Sequence, residues 1–188
     1  MNEESFYNRA GLPKSEYARI EKTVVDLYEE LGVSRIPINP FEVARKKGYV
    51  LIPFSKMSKE TLKLLRKTAS SGASIRNEEG TYKIFYDDSD SPRRQRFTVM
   101  HEIGHILLGH KQDSEYAEKC ANYYASYALS PTPLISLSGC EDYIELADKF
   151  FISFFSASIA FERCGKWKRF SRNVKAYETR LKALFGYN

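Results

Sequence analysis

The segment from Pro92 to Gly109 constrains the fold more than any other part of this 188-residue chain. Ser91 can cap a helix that has Pro92 at its first position, and Gly109 can end that helix in the left-handed conformation. Between these ends, apolar residues recur every three or four positions, namely Phe97, Met100, Ile103, Ile106 and Leu107. The pattern predicts one amphipathic helix that runs from Pro92 to about Leu108.

This predicted helix contains the sequence His101-Glu102-Ile103-Gly104-His105. Because an α-helix turns once in 3.6 residues, the two histidines lie one above the other on the same face. Their ring nitrogens could then bind one zinc ion. Glu102 lies about 100° around the helix, where it could reach a water molecule beside the ion without being a ligand. This is the HExxH arrangement of zinc peptidases, and the alternative is two ordinary histidines on an amphipathic helix.

A catalytic zinc ion needs a third protein ligand and one position open to water. The next predicted helix, at 114–129, offers Glu118 and, one turn later, Asn122. We expect Glu118 to bind the metal and Asn122 to form a hydrogen bond that orients a ligand. Glu115, one turn earlier, is the competing ligand. Cys120 is a further candidate, although its position on the helix favours a role in core packing.

A peptidase also needs a hydrogen-bond donor for the negative oxygen that develops during attack on the peptide carbonyl. The 13 tyrosines leave this choice open, and the candidates are His110, Tyr123 and Tyr124. The strand predicted at 81–86 could pair with an extended substrate, or it could be an ordinary member of the sheet.

The rest of the chain reads as an α+β protein, mostly helical, with a small antiparallel sheet of about three strands and further helices towards the C-terminus. Hydrophobic periodicity and helix-capping signals predict helices at 15–31, 40–47, 58–67, 114–129, 140–150 and 153–164. A loop is expected at 131–133. Buried or alternating apolar runs predict strands at 49–52, 73–76 and 81–86, the last two joined as a hairpin.

Composition excludes several classes of protein. With 43% apolar and 28% charged residues, the chain can build a sizeable core. Its longest mostly apolar stretch without a charge is 150–161, well short of the about 18 residues of a membrane span, so no membrane association is expected. Three cysteines without a CxxC pair and an acidic, polar N-terminus indicate free thiols and a cytoplasmic location.

The net charge of +5 is concentrated near the C-terminus. Seven basic residues and one acid, Glu178, lie between positions 166 and 182. Such a segment could bind nucleic acid or an acidic partner. Because it has no base-reading motif, a solvated helix face is the favoured interpretation. Residues 146–153 resemble the first half of a helix-turn-helix, although a plain helical hairpin is favoured there too.

The segment 93–105, followed by Glu118, Asn122, Leu129 and Pro131, resembles the ImmA/IrrE family of bacterial and phage metallo-endopeptidases. The likeness extends over about residues 15–135. It implies a zincin-like metallopeptidase domain at 1–135, and residues 136–188 would form a helical extension with a basic tail. It further implies Zn²⁺ as cofactor, with ligands and a catalytic glutamate at the matching positions His101, His105, Glu118 and Glu102.

The resemblance also implies a function. A zinc-dependent endopeptidase of this kind would cleave a helix-turn-helix transcriptional repressor encoded nearby, on a mobile element or in a stress response. The alternative hypothesis is a non-proteolytic, zinc-containing regulatory module that binds DNA or a repressor through the basic C-terminal region. The HExxH motif by itself also leaves open a hydrolase that acts on a bond other than a peptide bond.

Overall fold

The structure, a computed structural model, describes residues 11–68, 71–112, 114–170 and 173–187. Within these ranges the helices are α1 (Lys14–Leu31), α2 (Pro40–Lys46), α3 (Lys59–Thr68), α4 (Pro92–Leu108), α5 (Glu115–Leu129), α6 (Thr132–Leu137), α7 (Tyr143–Phe150), α8 (Phe154–Phe170) and α9 (Ala176–Leu184). The strands are β1 (Val50–Pro53), β2 (Gly72–Arg76) and β3 (Tyr82–Tyr86), and a short 3₁₀ turn, Phe54–Lys56, follows β1. The expected α+β class with C-terminal helices is confirmed.

Local capping chemistry sets the ends of the two central helices. The Ser91 hydroxyl accepts a hydrogen bond from the Arg94 amide and caps α4, whereas Gly109 ends this helix at φ 72°. The Ser114 hydroxyl accepts from the Ala117 amide at 3.1 Å and caps α5. These contacts satisfy amides that have no partner inside the helix. The boundaries predicted for both helices are therefore confirmed.

The three strands form one sheet in the order β1-β3-β2, so β3 has a neighbour on each side. β2 and β3 pair antiparallel as the predicted hairpin. β1 pairs parallel with β3, and the sheet is therefore mixed, where an antiparallel sheet was expected. A parallel pair needs a long crossover between its strands, and the connection through α3 and β2 provides one. β1 was expected to be buried, but Val50 is 44% exposed.

Helices α4 and α5 pack closely because α4 has a glycine where they meet. A Cβ atom on Gly104 would lie only 2.9 Å from Cδ1 of the buried Tyr124. On its other side α5 packs against α1, where the Tyr28 hydroxyl donates a hydrogen bond to the Ala128 carbonyl. Helix α5 thus lies between α1 and α4, which fixes its distance from the histidine helix.

The region after α5 is more helical than its sequence predicts. α6 begins at Thr132, in the stretch expected to be a loop, because the first turn of a helix tolerates Pro133 without losing a hydrogen bond. α8 continues past residue 164 to Phe170, and α9 forms within the basic segment. α7 and α8 pack together as a helical hairpin.

No helix in the described parts of the chain has the length and apolarity that crossing a bilayer requires.

Candidate metal centre

Three side chains converge where α4 meets α5. The Nε2 atoms of His101 and His105 are 2.9 Å apart. The Glu118 carboxylate reaches both rings, with Oε1 3.1 Å from His105 Nε2 and Oε2 3.5 Å from His101 Nε2. Among the described residues, these three form the group of histidine, cysteine and carboxylate side chains that could hold a metal ion.

The separations of these atoms fit a bound transition metal. Zinc bonds of about 2.0–2.1 Å in a tetrahedral arrangement place neighbouring ligand atoms about 3.3 Å apart, and the measured separations of 2.9, 3.1 and 3.5 Å lie around that value. Two imidazole nitrogens and one carboxylate oxygen are a ligand set that zinc accepts. The His101 and His105 side chains are 14% and 13% exposed and Glu118 is 49% exposed, so the group is open to water on the Glu118 side.

The environment of His101 keeps its ring neutral. Burial, together with the neighbouring His105, lowers the pKa of His101 to about 4. A neutral imidazole has a free lone pair, which metal binding requires.

The structure distinguishes the three acidic and thiol side chains that the sequence offered on α5. Glu118 joins the histidines, whereas Glu115 is 84% exposed and pairs with Lys119 at 2.6 Å. Cys120 points elsewhere, and its thiol donates to the carboxylate of Glu16 at 3.6 Å. Burial and the charge of Glu16 raise the pKa of this thiol to about 11, so it stays protonated.

Glu102 lies under the first residue of β2. Glu102 is buried, with only 7% of the residue exposed to solvent. A Cβ atom placed on Gly72 would lie 3.5 Å from Glu102 Oε1 and 2.3 Å from Thr98 Cγ2. The carboxylate is therefore held between α4 and the sheet. A glycine at the start of a strand can mark a place where the backbone comes close to another element, and this signal at Gly72 was not used in the sequence analysis.

Asn122 lies beside His101, as its spacing from Glu118 predicts. The oxygen of the Asn122 side chain accepts a hydrogen bond from the His101 ring, which raises the pKa of His101, although the effect of burial is larger. On the other side, the Phe97 ring lies 6.3 Å from the His101 ring, centre to centre.

The three candidate oxyanion donors have different surroundings. His110 contacts the site directly, with its Nδ1 atom 3.0 Å from Nδ1 of His105. The Tyr123 hydroxyl instead donates to Glu21 at 2.5 Å. Tyr124 is buried against Gly104, and its hydroxyl has no hydrogen-bond partner among the described residues. Of the three, the structure brings only His110 to the histidine pair.

A groove of about 730 Å³ lies between α4, α5 and α8 and is lined in part by Phe97 and Asn122, two neighbours of His101. Apolar and aromatic side chains form much of its wall, and the lining includes Phe97, Asn122, Tyr123, Phe155, Ile159 and Arg163. Phe155 is 76% exposed. The sequence did not predict this groove because one of its walls, α8, is separated from α4 and α5 by two other helices.

A histidine pair on one helix and a carboxylate on the next, packed beneath a small sheet, define the HExxH class of peptidase folds. The sequence profile of the IrrE N-terminal-like domain, peptidase family M78, matches residues 49–161. This match covers more than half of the chain, and the protein belongs to that family. A comparison with curated proteins gave no match.

Proposed function

We propose that this protein is a zinc-dependent endopeptidase and that its substrate is a helix-turn-helix transcriptional repressor. The observation that carries the proposal is the convergence of His101, His105 and Glu118 on one point. Membership of a peptidase family supports hydrolysis of a protein. The repressor is proposed because residues 93–131 resemble the family described above. A repressor as substrate in turn implies a cytoplasmic location and a gene on a mobile element, in a phage or in a stress-response operon.

In this proposal His101, His105 and Glu118 hold the zinc ion. The chemistry that zinc supplies when bound is Lewis acidity, which lowers the pKa of water and polarises a carbonyl. The histidines are covered and the carboxylate is open, which supports a site with room for water and a peptide group.

Glu102 is the proposed general base and general acid. Its carboxylate accepts a proton from the attacking water while the water oxygen bonds to the peptide carbonyl carbon. The same oxygen of Glu102 then donates that proton to the amide nitrogen as the carbon–nitrogen bond breaks. Burial between α4 and Gly72 supports this role, because a carboxylate held in place need not reorganise during the reaction.

The sheet offers a place for an extended substrate, although at a different strand from the one that the sequence suggested. β3 is paired on both sides and is an ordinary central strand. Among the strands that the structure describes, β2 is at an edge, and its first residue, Gly72, lies against the helix that carries Glu102. We propose that the substrate backbone pairs with the free edge of β2, which would bring a peptide bond close to Glu102.

The decisive test replaces Glu102 by Gln, which keeps size and shape but cannot accept a proton. We expect Glu102→Gln to bind zinc like the wild type and to lose repressor cleavage by at least about 10²-fold, as expected for loss of a general base. Zinc content is measured by elemental analysis, and cleavage by co-expression with each helix-turn-helix protein that the neighbouring genes encode. Cleavage by the variant, or wild-type protein that takes up no metal, would contradict the proposal.

A further inference from the structure

The chain turns back at the end of α4 and places one histidine against another. Gly109 has φ 72°, in the left-handed region. The amide of His110 then donates to the carbonyl of His105 at 3.1 Å. The two rings are edge to face, with their centres 5.0 Å apart. Their Nδ1 atoms are 3.0 Å apart, which is a hydrogen-bond distance.

The direction of this hydrogen bond follows from the chemistry of imidazole. His105 presents Nε2 to His101 and to Glu118, so Nε2 is the atom that faces the candidate metal position. A neutral imidazole that binds through Nε2 carries its proton on Nδ1. Nδ1 of His105 is therefore the donor, and Nδ1 of His110 must be the acceptor. His110 consequently carries its own proton on Nε2.

The contact is particular to His105. His101, the other histidine of the pair, has a different neighbour, since its ring hydrogen-bonds to the Asn122 side chain of α5. A hydrogen-bond partner behind a metal-binding histidine fixes its tautomer and its ring orientation. The two histidines of the motif are thus supported in different ways.

We propose that His110 is a positioning residue that accepts the hydrogen bond of His105 Nδ1–H and so keeps His105 Nε2 directed at the metal. This rests on the proposed function, because the metal is the one assigned there. It also gives His110 a task other than donating to the oxyanion.

The test compares two substitutions of similar size. Leu at position 110 fills the space without accepting a hydrogen bond, whereas the Asn side-chain oxygen can accept one near the position of Nδ1. We expect His110→Leu to weaken zinc affinity about 10–100-fold and His110→Asn to retain most of it. Affinity is measured by competition with a chelator, and Lys111→Ala, next along the chain, is the control. Equal thermal unfolding of the metal-free proteins shows that each variant folds.

A second readout needs no metal and no substrate. Nitrogen-15 NMR of the metal-free Glu102→Gln protein should show a protonated Nδ1 at His105, and this signal should be lost or shifted with His110→Leu but kept with His110→Asn. Zinc affinity of His110→Leu equal to that of the wild type would overturn the proposal. So would a fall in kcat with unchanged zinc affinity, since His110 would then act on the substrate.

These outcomes are distinct from failure of the proposed function. A protein that binds zinc in a His110-dependent way but cleaves no repressor would leave the positioning role intact and remove the peptidase. Cleavage that depends on Glu102 but is unaffected by His110→Leu would support the peptidase and remove the positioning role.

Discussion

At the scale of single residues, the absence of a side chain at Gly72 is as important as the carboxylate of Glu102. The backbone of β2 passes so close to α4 that any Cβ at residue 72 would overlap Thr98, whose Cγ2 would be 2.3 Å away. The backbone oxygen of Phe85 would be 3.0 Å away and Glu102 Oε1 3.5 Å away. The first residue of β2 therefore lies directly against α4, next to the Glu102 carboxylate.

We predict that Gly72→Ala lowers the rate of cleavage by about tenfold or more, because the added methyl group would meet Thr98 Cγ2 at 2.3 Å and the Phe85 backbone oxygen at 3.0 Å, so that β2 must shift relative to α4 and the Glu102 carboxylate. A loss of about 1.4 kcal/mol in transition-state stabilisation is enough for a tenfold effect. Zinc content should stay at the wild-type level, since the ligands are not touched. Both quantities are measured on the purified protein.

Gly165 provides the matched control for this substitution. It lies within α8, and a Cβ atom there would meet nothing within 4 Å. Gly165→Ala should therefore leave activity unchanged and stabilise the helix by about 0.5–1 kcal/mol. Full activity of Gly72→Ala would show that Glu102 does not depend on this contact.

At the scale of the secondary structure elements, the candidate metal centre depends on the distance between α4 and α5. His101 and His105 lie on one helix and Glu118 on the other. The two helices meet where the Tyr124 ring covers Gly104. Any increase in their separation moves the carboxylate away from the imidazoles.

We predict that Gly104→Ala both destabilises the protein and weakens metal binding. The new Cβ would lie 2.9 Å from the Tyr124 ring, which is buried and has little room to move. Overpacking of this kind costs about 1–3 kcal/mol. Denaturant unfolding and chelator competition measure the two effects. Unchanged zinc affinity in a folded Gly104→Ala protein would mean that the helix spacing does not set the position of Glu118.

Two basic residues of the segment near the C-terminus form ion pairs within the protein. Arg180 pairs with Asp26 at 2.8 Å and with Glu29 at 2.5 Å, both on α1. Lys175 reaches Glu21 of the same helix at 3.3 Å. These pairs support a structural role for this part of the segment. They argue against the alternative hypothesis, in which its charge binds DNA or a repressor.

At the scale of the whole molecule, one buried carboxylate joins three helices. Glu21 of α1 is 6% exposed. It accepts hydrogen bonds from the Tyr123 hydroxyl of α5 and the Tyr177 hydroxyl of α9, each at 2.5 Å. Burial and the charge of Glu21 raise the pKa of both hydroxyls, so they remain protonated and keep donating. The contact ties α9 to the helices next to the metal centre.

We predict that Glu21→Ala destabilises the protein by about 2–5 kcal/mol, because two buried hydroxyls and a lysine lose their shared acceptor. Glu29→Ala is the control, since it removes an exposed partner of Arg180 and should change stability by less than about 1 kcal/mol. Denaturant unfolding measures both. Equal stability of the two variants would show that the Glu21 cluster does not hold α9 in place.

The division into a metallopeptidase domain at 1–135 and a C-terminal extension at 136–188 stays a prediction. The contacts of Glu21 cross this boundary, since Tyr177 belongs to the extension and α1 to the domain. The family match also extends beyond residue 135, to residue 161 in α8.

The sequence by itself determined the elements that depend on near neighbours. A helix is held by hydrogen bonds between residues four apart, so periodicity and capping residues were enough to predict α4, α5 and the shared face of His101 and His105. The reversal at Gly109 that brings His110 back is equally local. Its signal was present in the sequence, as a glycine directly after the helix and a histidine after that glycine.

Only the tertiary structure decided which distant parts meet. The parallel pairing of β1 with β3 and the hydrogen bond from Tyr177 to Glu21, 156 positions apart, join segments that no sequence window contains. The tertiary structure also decided in part that Glu118 and not Glu115 lies beside the histidines, because one helical turn moves a side chain about 5 Å along the helix axis. Which turn faces the histidines is set by how α5 packs on Gly104, and packing is a property of whole surfaces in contact.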